Sequence, residues 1–212
     1  MVTKSSRATL VPTHPTAQKL LDAAIRSMDT DGEASLRVDA VVGEAGVTIP
    51  VLYHHFGNRE GLVQAAHVAR LRRDLDTRLD ALAAAMQKVD SRDALIATFD
   101  LILRDVASAR DVRHKRVNVL GATYGREDLQ EEVAAIQRDA WARMAAHLEE
   151  PQRRGWIRAD LDLVGFASWF FGLFVGRTLI DIQGPAWDFS PWDEYTRSAV
   201  FTVLLGEVPP ES

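Results

Sequence analysis

Residues 37–56 read RVDAVVGEAGVTIPVLYHHF, and this stretch decides the fold. Apolar residues at helical spacing predict a short helix from about Val38 to Ala45 and a second from about Thr48 to Phe56. Thr48 is a good N-cap, and Pro50 falls in the first turn, where its missing N–H is not needed. Gly46 lies in the turn between them and supplies the positive φ that lets two short helices cross steeply.

An amphipathic helix precedes this pair of helices. Pro15 suits its first turn, and Asp31-Gly32 ends it. Its apolar stripe consists of Ala17, Leu20, Leu21, Ala24, Ile25 and Met28. We expect Val47, Leu52 and Phe56 to pack the second short helix onto this stripe. That packing leaves an outward side formed by Thr48, Ile49, Val51 and His54.

The rest of the chain is also predicted to be helical. Gly57-Asn58 breaks the second short helix, and Asn58 can cap the next one. Helices are expected at about 59–88, 91–109, 112–122, 127–149, 160–182 and 191–206, the last with Ser190 as its N-cap. No segment alternates with period two, so the fold class is all-α with about nine helices. The predicted divisions are a flexible tail at 1–14, a three-helix helix-turn-helix domain at 15–60 and a helical domain at 61–212.

Composition narrows the class of protein further. The 212 residues are 47% hydrophobic, enough for a core, and the absence of cysteine excludes disulfides, thiolate metal sites and cysteine nucleophiles. The net charge of −5 is uneven, since residues 1–72 hold eight Lys/Arg against seven Asp/Glu and the acidic excess lies beyond them. Leu163–Gly176 is the longest uncharged apolar stretch, and it is shorter than the roughly 18 residues that span a membrane, which predicts a buried helix. No secretory signal is visible, so we expect a cytoplasmic protein without a membrane partner.

The same residues resemble the tetracycline-repressor (TetR) family of regulators. The resemblance runs from Leu20-Leu21-Asp22-Ala23-Ala24 through Gly32 and Ala45-Gly46-Val47 to Leu52-Tyr53-His54-His55-Phe56 and Asn58-Arg59-Glu60-Gly61-Leu62. It covers about 45 residues. Beyond them only helix order is similar, with Gly155–Asp162 as a recurrent lead-in to the penultimate helix.

The resemblance implies that residues 48–55 form a recognition helix in the major groove of double-stranded DNA. Tyr53, His55 and Arg59 would contact phosphates, and Thr48, Ile49, Pro50, Val51 and His54 would face bases. Arg37, at the start of the preceding helix, completes the predicted DNA-binding set. Ile49 and Val51 can contact thymine methyl groups but cannot form the bidentate hydrogen bonds that distinguish G or A.

The resemblance also implies that the second domain binds a small molecule and dimerises. The predicted ligand-binding residues, suited to an apolar or aromatic effector, are Phe99, Leu103, His114, Asn118, Tyr124, Trp141, Met144, His147, Trp169 and Phe170. An ordinary core is an equally good reading of any one of them. The predicted dimer interface consists of Gly165, Ser168, Gly172, Gly176, Tyr195, Ala199 and Val203. A two-fold homodimer would hold two recognition helices about one DNA turn (~34 Å) apart and would match a palindromic operator.

The sequence therefore predicts a ligand-responsive DNA-binding regulator, a repressor, that an effector releases from its operator. The alternative is a helical small-molecule-binding or scaffold protein that has lost DNA binding. An enzyme is not expected, because the six histidines are scattered and no metal-binding His-Glu-x-x-His, phosphate loop or Gly-x-Ser-x-Gly is present. No cofactor and no metal are expected.

Overall fold

The computed structural model describes residues 14–108 and 110–207, so the tail predicted at 1–14 lies almost wholly outside the described residues. These residues form nine α-helices, one 3₁₀ turn and no strand. The helices are α1 Pro15–Asp31, α2 Val38–Ala45, α3 Ile49–Phe56, α4 Arg59–Met86, α5 Arg92–Ser108, α6 Arg110–Ala122, α7 Glu127–Arg153, α8 Leu163–Asp181 and α9 Ser190–Leu205, and the 3₁₀ turn is Glu33–Ser35. The predicted all-α class is confirmed.

The first compact unit extends to Arg73 and includes Val119–Ala135. Its core joins the predicted α1 stripe to Leu52 and Phe56 of α3, with Val47 packed against the same cluster. The core also takes in Leu62, Val63, Ala65, Ala66 and Ala69 from α4. The N-terminal unit therefore continues past the predicted boundary at residue 60, because the first turns of α4 bury their apolar side chains in it.

The second compact unit contains Asp74–Asn118 and the chain from Ile136 onward. A run of aromatic rings forms its centre, with centroids 5.9 Å apart for Phe99 and Phe170, 5.7 Å for Phe166 and Phe170, and 4.8 Å for Phe170 and Phe174. The first and third pairs are edge-to-face and the second is stacked, and aromatic pairs in these arrangements stabilise a core beyond the area they bury. Helices α4, α6 and α7 each continue from one unit into the other.

Buried ion pairs link the helices of the second unit. Arg113 of α6 donates from Nε and a terminal nitrogen to the Asp181 carboxylate over 2.9 and 3.0 Å, and both side chains are 3% exposed. Arg197 of α9 binds Asp100 of α5 in the same bidentate manner. Because breaking one partner of such a pair leaves a buried charge, these contacts fix how α6 meets α8 and how α5 meets α9.

Helix α8 corrects the prediction of a wholly buried helix. Its length and composition would suffice to cross a membrane, yet only 28% of its most apolar window is buried within the chain. Phe166, Phe170 and Phe174 face the core, whereas Val164 and Leu179 are exposed. The helix begins at Leu163 rather than about 160, because the Asp162 side chain caps it by accepting from Val164 N–H.

Candidate functional site

The α2–α3 turn has the geometry that the sequence predicts. Gly46 lies in the left-handed region at φ 68° and ψ 35°, and its N–H donates to the Gly43 carbonyl. Val47 N–H donates to the Val42 carbonyl over 3.0 Å. These bonds end α2 and turn the chain directly into α3, whose N-cap is Thr48.

Helix α3 buries one side and exposes the other. Leu52 is fully buried and Phe56 is 9% exposed, which anchors the helix to the core. Ile49 and Tyr53 are 40% and 43% exposed. Of the other residues predicted to face bases, Thr48, Pro50 and His54 are exposed, whereas Val51 is half-buried. Val51 is therefore the least accessible of the residues predicted to face bases.

Three histidines meet beside this surface. The His55 ring lies 5.2 Å from His14 and 5.3 Å from His54, measured between ring centroids. Nδ1 of His14 accepts from Thr16 N–H and so caps α1. Burial, and then the neighbouring imidazoles of His14 and His54, hold the pKa of His55 below its usual value. No group of metal-binding side chains is found in the described part of the chain, so the cluster is a set of titratable rings.

Two arginines of the predicted DNA-binding set are already engaged in the free protein. Arg59 donates from Nε to the Leu36 carbonyl over 3.1 Å and from a terminal nitrogen to the Glu33 carbonyl over 2.9 Å. These bonds hold the 3₁₀ turn against α4. Arg37 donates to Asp39 over 3.1 Å on the surface. Hydrogen bonding to its own backbone, and then to Arg37, lowers the pKa of Asp39.

The α3–α4 junction is held by a close backbone approach. Asn58 caps α4, as predicted, by accepting from Gly61 N–H over 2.8 Å. A Cβ on Gly61 would lie 2.1 Å from the Phe56 carbonyl oxygen, a separation no side chain tolerates. Gly61 therefore lets the first turn of α4 pack closely against the end of α3. This close packing restricts the orientation of α3 relative to α4.

The second unit contains an apolar cavity of about 270 Å³. Five helices line it, through Arg78, Leu79, Ala81, Leu82, Ala85, Leu101, Ile102, Asp105, Val112, Arg113, Arg116, Met144, Phe170, Phe171 and Phe174. Met144 and Phe170 were among the predicted ligand-binding residues. The sequence analysis does not predict the α4 leucines of the lining, although their four- and three-residue spacing is visible in the sequence, nor the arginines of α4 and α6.

The other predicted ligand-binding residues lie elsewhere. Phe99 is wholly buried in the aromatic core, and Tyr124 is 94% exposed in the α6–α7 loop. Leu103 lines a more polar pocket of about 440 Å³ with Asp100, Arg104 and Arg197. The remaining five, which do not line the apolar cavity, are His114, Asn118, Trp141, His147 and Trp169.

The predicted dimer residues lie on surface that the chain leaves accessible. Tyr195 is 73% exposed, Gly165 and Gly172 are exposed, and Ser168, Gly176, Ala199 and Val203 are half-buried. Gly165 also has a local reason to be glycine, because a Cβ there would lie 2.7 Å from the Asp162 carboxylate. Gly176 approaches Trp192 of α9, so part of the small-residue stripe serves the α8–α9 contact.

A short helix pair around a left-handed glycine, with the second helix half-exposed on a three-helix core, defines a helix-turn-helix protein. Residues 20–66 match the family model described as bacterial regulatory proteins, tetR family. The N-terminal part of the chain thus has the helix-turn-helix domain of the TetR family of regulatory proteins.

Curated and solved relatives agree with this assignment. The HTH-type transcriptional regulator BetI of Burkholderia mallei is 31% identical over 84 residues, covering 39% of this chain and 43% of that protein. The match thus spans less than half the length of this curated relative. A TetR-family regulator from Cytophaga hutchinsonii superposes with a TM-score of 0.60 at 14% identity, covering 92% of this chain and 95% of that one. The regulator FadR from Bacillus subtilis in complex with stearoyl-CoA superposes with a TM-score of 0.58 at 15% identity, covering 89% of this chain and 98% of that one. At these identities the solved structures establish the fold alone.

Proposed function

We propose that this protein is a ligand-responsive transcriptional repressor of the cytoplasm that binds a palindromic operator as a homodimer. The observation that carries the proposal is the exposed side of α3, where Ile49 and Tyr53 stand accessible on a TetR-family helix-turn-helix. A helix with no partner has little reason to expose apolar residues beside a well-filled core.

The proposed roles on DNA follow from placement along α3. Ile49, Thr48 and Pro50 at its N-terminal end enter the major groove, and His54 reaches bases farther along. Tyr53 and His55 bind phosphates and set the position of the helix without reading sequence. Val51, half-buried, contributes less. Since Ile49 offers only apolar contact, much of the specificity comes from thymine methyl groups and DNA shape.

The proposed dimer uses the outer side of α8 and α9. Apolar residues on and just after α8 are unusually exposed, with Leu179 at 74% and Ile182 at 76%, and Trp187 and Tyr195 follow at 55% and 73%. An apolar surface of this kind on a soluble protein marks an interaction site. The glycines and Ser168 of α8 allow a second copy to approach closely, as the sequence pattern suggests.

The proposed effector site is the apolar cavity of the second unit. Phe170, Phe171 and Phe174 and the leucines of α4 suit an apolar or aromatic molecule. A fold relative has stearoyl-CoA bound, which supports a small-molecule role for this class of domain. Effector and operator would be coupled through a difference in effector affinity between DNA-competent and incompetent states.

A helical ligand-binding protein without DNA binding is the second candidate. The observation that favours it is the engagement of Arg37 by Asp39 and of Arg59 by the Leu36 and Glu33 carbonyls, which occupies both arginines of the predicted DNA-binding set. The two candidates differ in salt dependence. Operator binding must weaken steeply as salt rises, with a slope set by the number of phosphates contacted.

Two substitutions test the proposed roles by fluorescence anisotropy on a panel of operators and mismatched duplexes. Tyr53→Ala should lower affinity by a similar factor on every duplex. Ile49→Ala should change the ranking of duplexes, because each base contact contributes discrimination. Equal behaviour of Ile49→Ala on all duplexes would remove Ile49 from the base-reading set.

A further inference from the structure

We propose that the apolar cavity takes an amphipathic carboxylate and that its acid group competes with Asp74 for Arg116 and Arg78. This inference rests on the proposed function, because it assigns a ligand class and a regulatory contact to the proposed effector site. The expected occupant is an apolar body with a single acid group at one end.

The charge of the cavity lining favours an anion. Arg78, Arg113 and Arg116 line the cavity, against the single acidic residue Asp105. The carboxylates of Asp74 and Asp181, which pair with these arginines, do not line it. A molecule inside the cavity therefore meets the arginine side of the pairs with Asp74 and Asp181, while the apolar part of the lining receives its body.

Arg116 and Arg78 are the arginines able to take the acid group. Arg113 is held on both sides of its fork by Asp181 and is 3% exposed, so it is committed to the fold. Arg116 donates from one terminal nitrogen to Asp74 over 2.6 Å, while its buried Nε has no hydrogen-bond partner among the described residues. A buried donor without an acceptor is costly, and a carboxylate accepting from it would remove that cost.

Arg78 completes the site from the opposite helix. Its Nε donates to Asp74 over 3.1 Å, and a terminal nitrogen reaches Asp105, which is 70% exposed on the surface. The Arg116 guanidinium also lies 5.9 Å from the centre of the Phe171 ring. The site thus presents two guanidiniums at one end and phenyl rings along the wall, which matches an acid group on an apolar body.

The position of Asp74 gives the competition a regulatory consequence. Asp74 bridges Arg78 on α4 and Arg116 on α6, so it ties the two helices together. It is the first residue of the second unit on α4, and Arg116 lies three residues before α6 passes into the first unit. A ligand carboxylate that shares these guanidiniums weakens the tie at the point where both helices lead toward the DNA-binding unit.

The first test compares three ligands of matched shape on the full-length protein by isothermal titration calorimetry: octanoate, octanamide and octylamine. Octanoate should bind at least about tenfold more tightly than octanamide, because hydrogen bonds to charged groups are the stronger ones. Octylamine should bind most weakly. Equal affinity for octanoate and octanamide, preference for the amine, or binding of none of the three would overturn the proposal.

Variants then locate the acid group. Arg116→Gln and, separately, Arg78→Gln should remove the preference for octanoate over octanamide, and octanamide binding that stays measurable in each variant shows that the cavity is intact. Asp74→Asn should raise octanoate affinity by removing its competitor, a gain that misfolding cannot produce. Asp76→Asn is the matched control, because it breaks the α4–α7 pair with Arg143 outside the cavity and should leave all three affinities unchanged. Retention of the preference in both arginine variants, or unchanged affinity in Asp74→Asn, would refute the competition.

Failure of this inference can be told from failure of the proposed function. Operator affinity that responds to some other small molecule, with no preference for octanoate, refutes the ligand class and leaves the repressor proposal standing. Selective octanoate binding that Asp74→Asn strengthens, on a protein that binds no DNA, refutes the repressor and supports the acid site.

Discussion

Gly61 shows how a single residue positions the DNA-binding helix. Its missing side chain lets the Phe56 carbonyl come within 2.1 Å of where a Cβ would stand. Because the contact is with backbone rather than with a flexible side chain, the neighbour cannot move aside without shifting the end of α3. The family motif Asn58–Leu62 thus encodes a helix junction as well as a cap.

Gly61→Ala should destabilise the protein by about 2–3 kcal/mol, at the upper end of overpacking effects. The measurement is urea unfolding followed by circular dichroism. Gly43→Ala is the control, since nothing lies within 4 Å of a Cβ there and its φ is not positive. That change should be neutral or stabilise by up to about 1 kcal/mol, as expected for alanine replacing glycine within a helix. Similar midpoints for the two variants would contradict the close approach.

We expect operator affinity to depend on pH through His55. Its pKa in the free protein lies below the usual 6.5, and a bound phosphate would favour the protonated ring. Affinity should therefore rise as pH falls through the pKa of the DNA-bound state and level off below that of the free state. The rise is at most roughly tenfold per pH unit for each proton taken up. His55→Gln should flatten the dependence of operator affinity on pH, measured by fluorescence anisotropy between about pH 5.5 and about pH 8. An unchanged slope would show that His55 is not the group that takes up the proton.

The lowered pKa of His55 affects folding in the opposite direction, because acid lowers the stability of the folded protein while it strengthens operator binding. The folded protein holds the proton on His55 less tightly than the unfolded chain does. The contribution of His55 to folding stability is therefore fully present above about pH 6.5. It is lost as pH falls through the depressed folded-state value. Tighter operator binding at low pH should therefore accompany a less stable free protein.

At the scale of elements, the helix-turn-helix could be predicted from sequence because its signals are local. The bounds of α2 follow from its apolar spacing and from Gly46, and the structure gives Val38–Ala45. The start of helix α9 is predicted less accurately from the sequence. Ser190, predicted as its N-cap, is its first residue, because Asp188 accepts from Ser190 N–H and the helix starts one residue earlier.

The cavity could not be predicted in the same way. Its lining comes from five helices, and which side of each helix faces it depends on packing that no single periodicity records. Residue type alone therefore indicates Phe170, which lines the cavity, but also Phe99, which lies in the core, and Tyr124, which lies in a loop. The arginines of the lining carried no sequence signal, since charged helix residues are mostly solvated.

Substitution of Arg59 tests whether its two hydrogen bonds hold the 3₁₀ turn against α4. Arg59→Met should free the Leu36 and Glu33 carbonyls and cost about 1–3 kcal/mol, as expected for losing two hydrogen bonds from a charged group, one part-buried and one exposed. Hydrogen exchange should quicken at residues 33–37 in particular. Arg26→Met removes an exposed pair with Glu44 and should cost no more than about 1 kcal/mol. If exchange in the turn were unaffected by Arg59→Met, the two hydrogen bonds would not be what holds it.

At the scale of the whole molecule, the exposed apolar residues of α8 and of the loop that follows it predict a protein–protein interface. Leu179→Asp combined with Ile182→Asp should convert a dimer into a monomer, because charges would be buried in the interface. Light scattering coupled to size-exclusion chromatography measures the mass. Tyr124→Asp, at a residue that is 94% exposed on a different loop, should leave the mass unchanged. A wild-type protein that is monomeric at micromolar concentration would contradict the proposed dimer.

If α3 reads operator DNA, selection of bound duplexes from a random pool should reveal the sequence that it recognises. The wild-type protein should enrich a palindrome whose half-sites are centred about one helical turn apart, roughly 10 base pairs. The same selection with Tyr53→Ala combined with Ile49→Ala should enrich nothing, while Tyr124→Asp should recover the wild-type sequence. Failure of the wild-type protein to enrich any sequence at low salt would contradict the account.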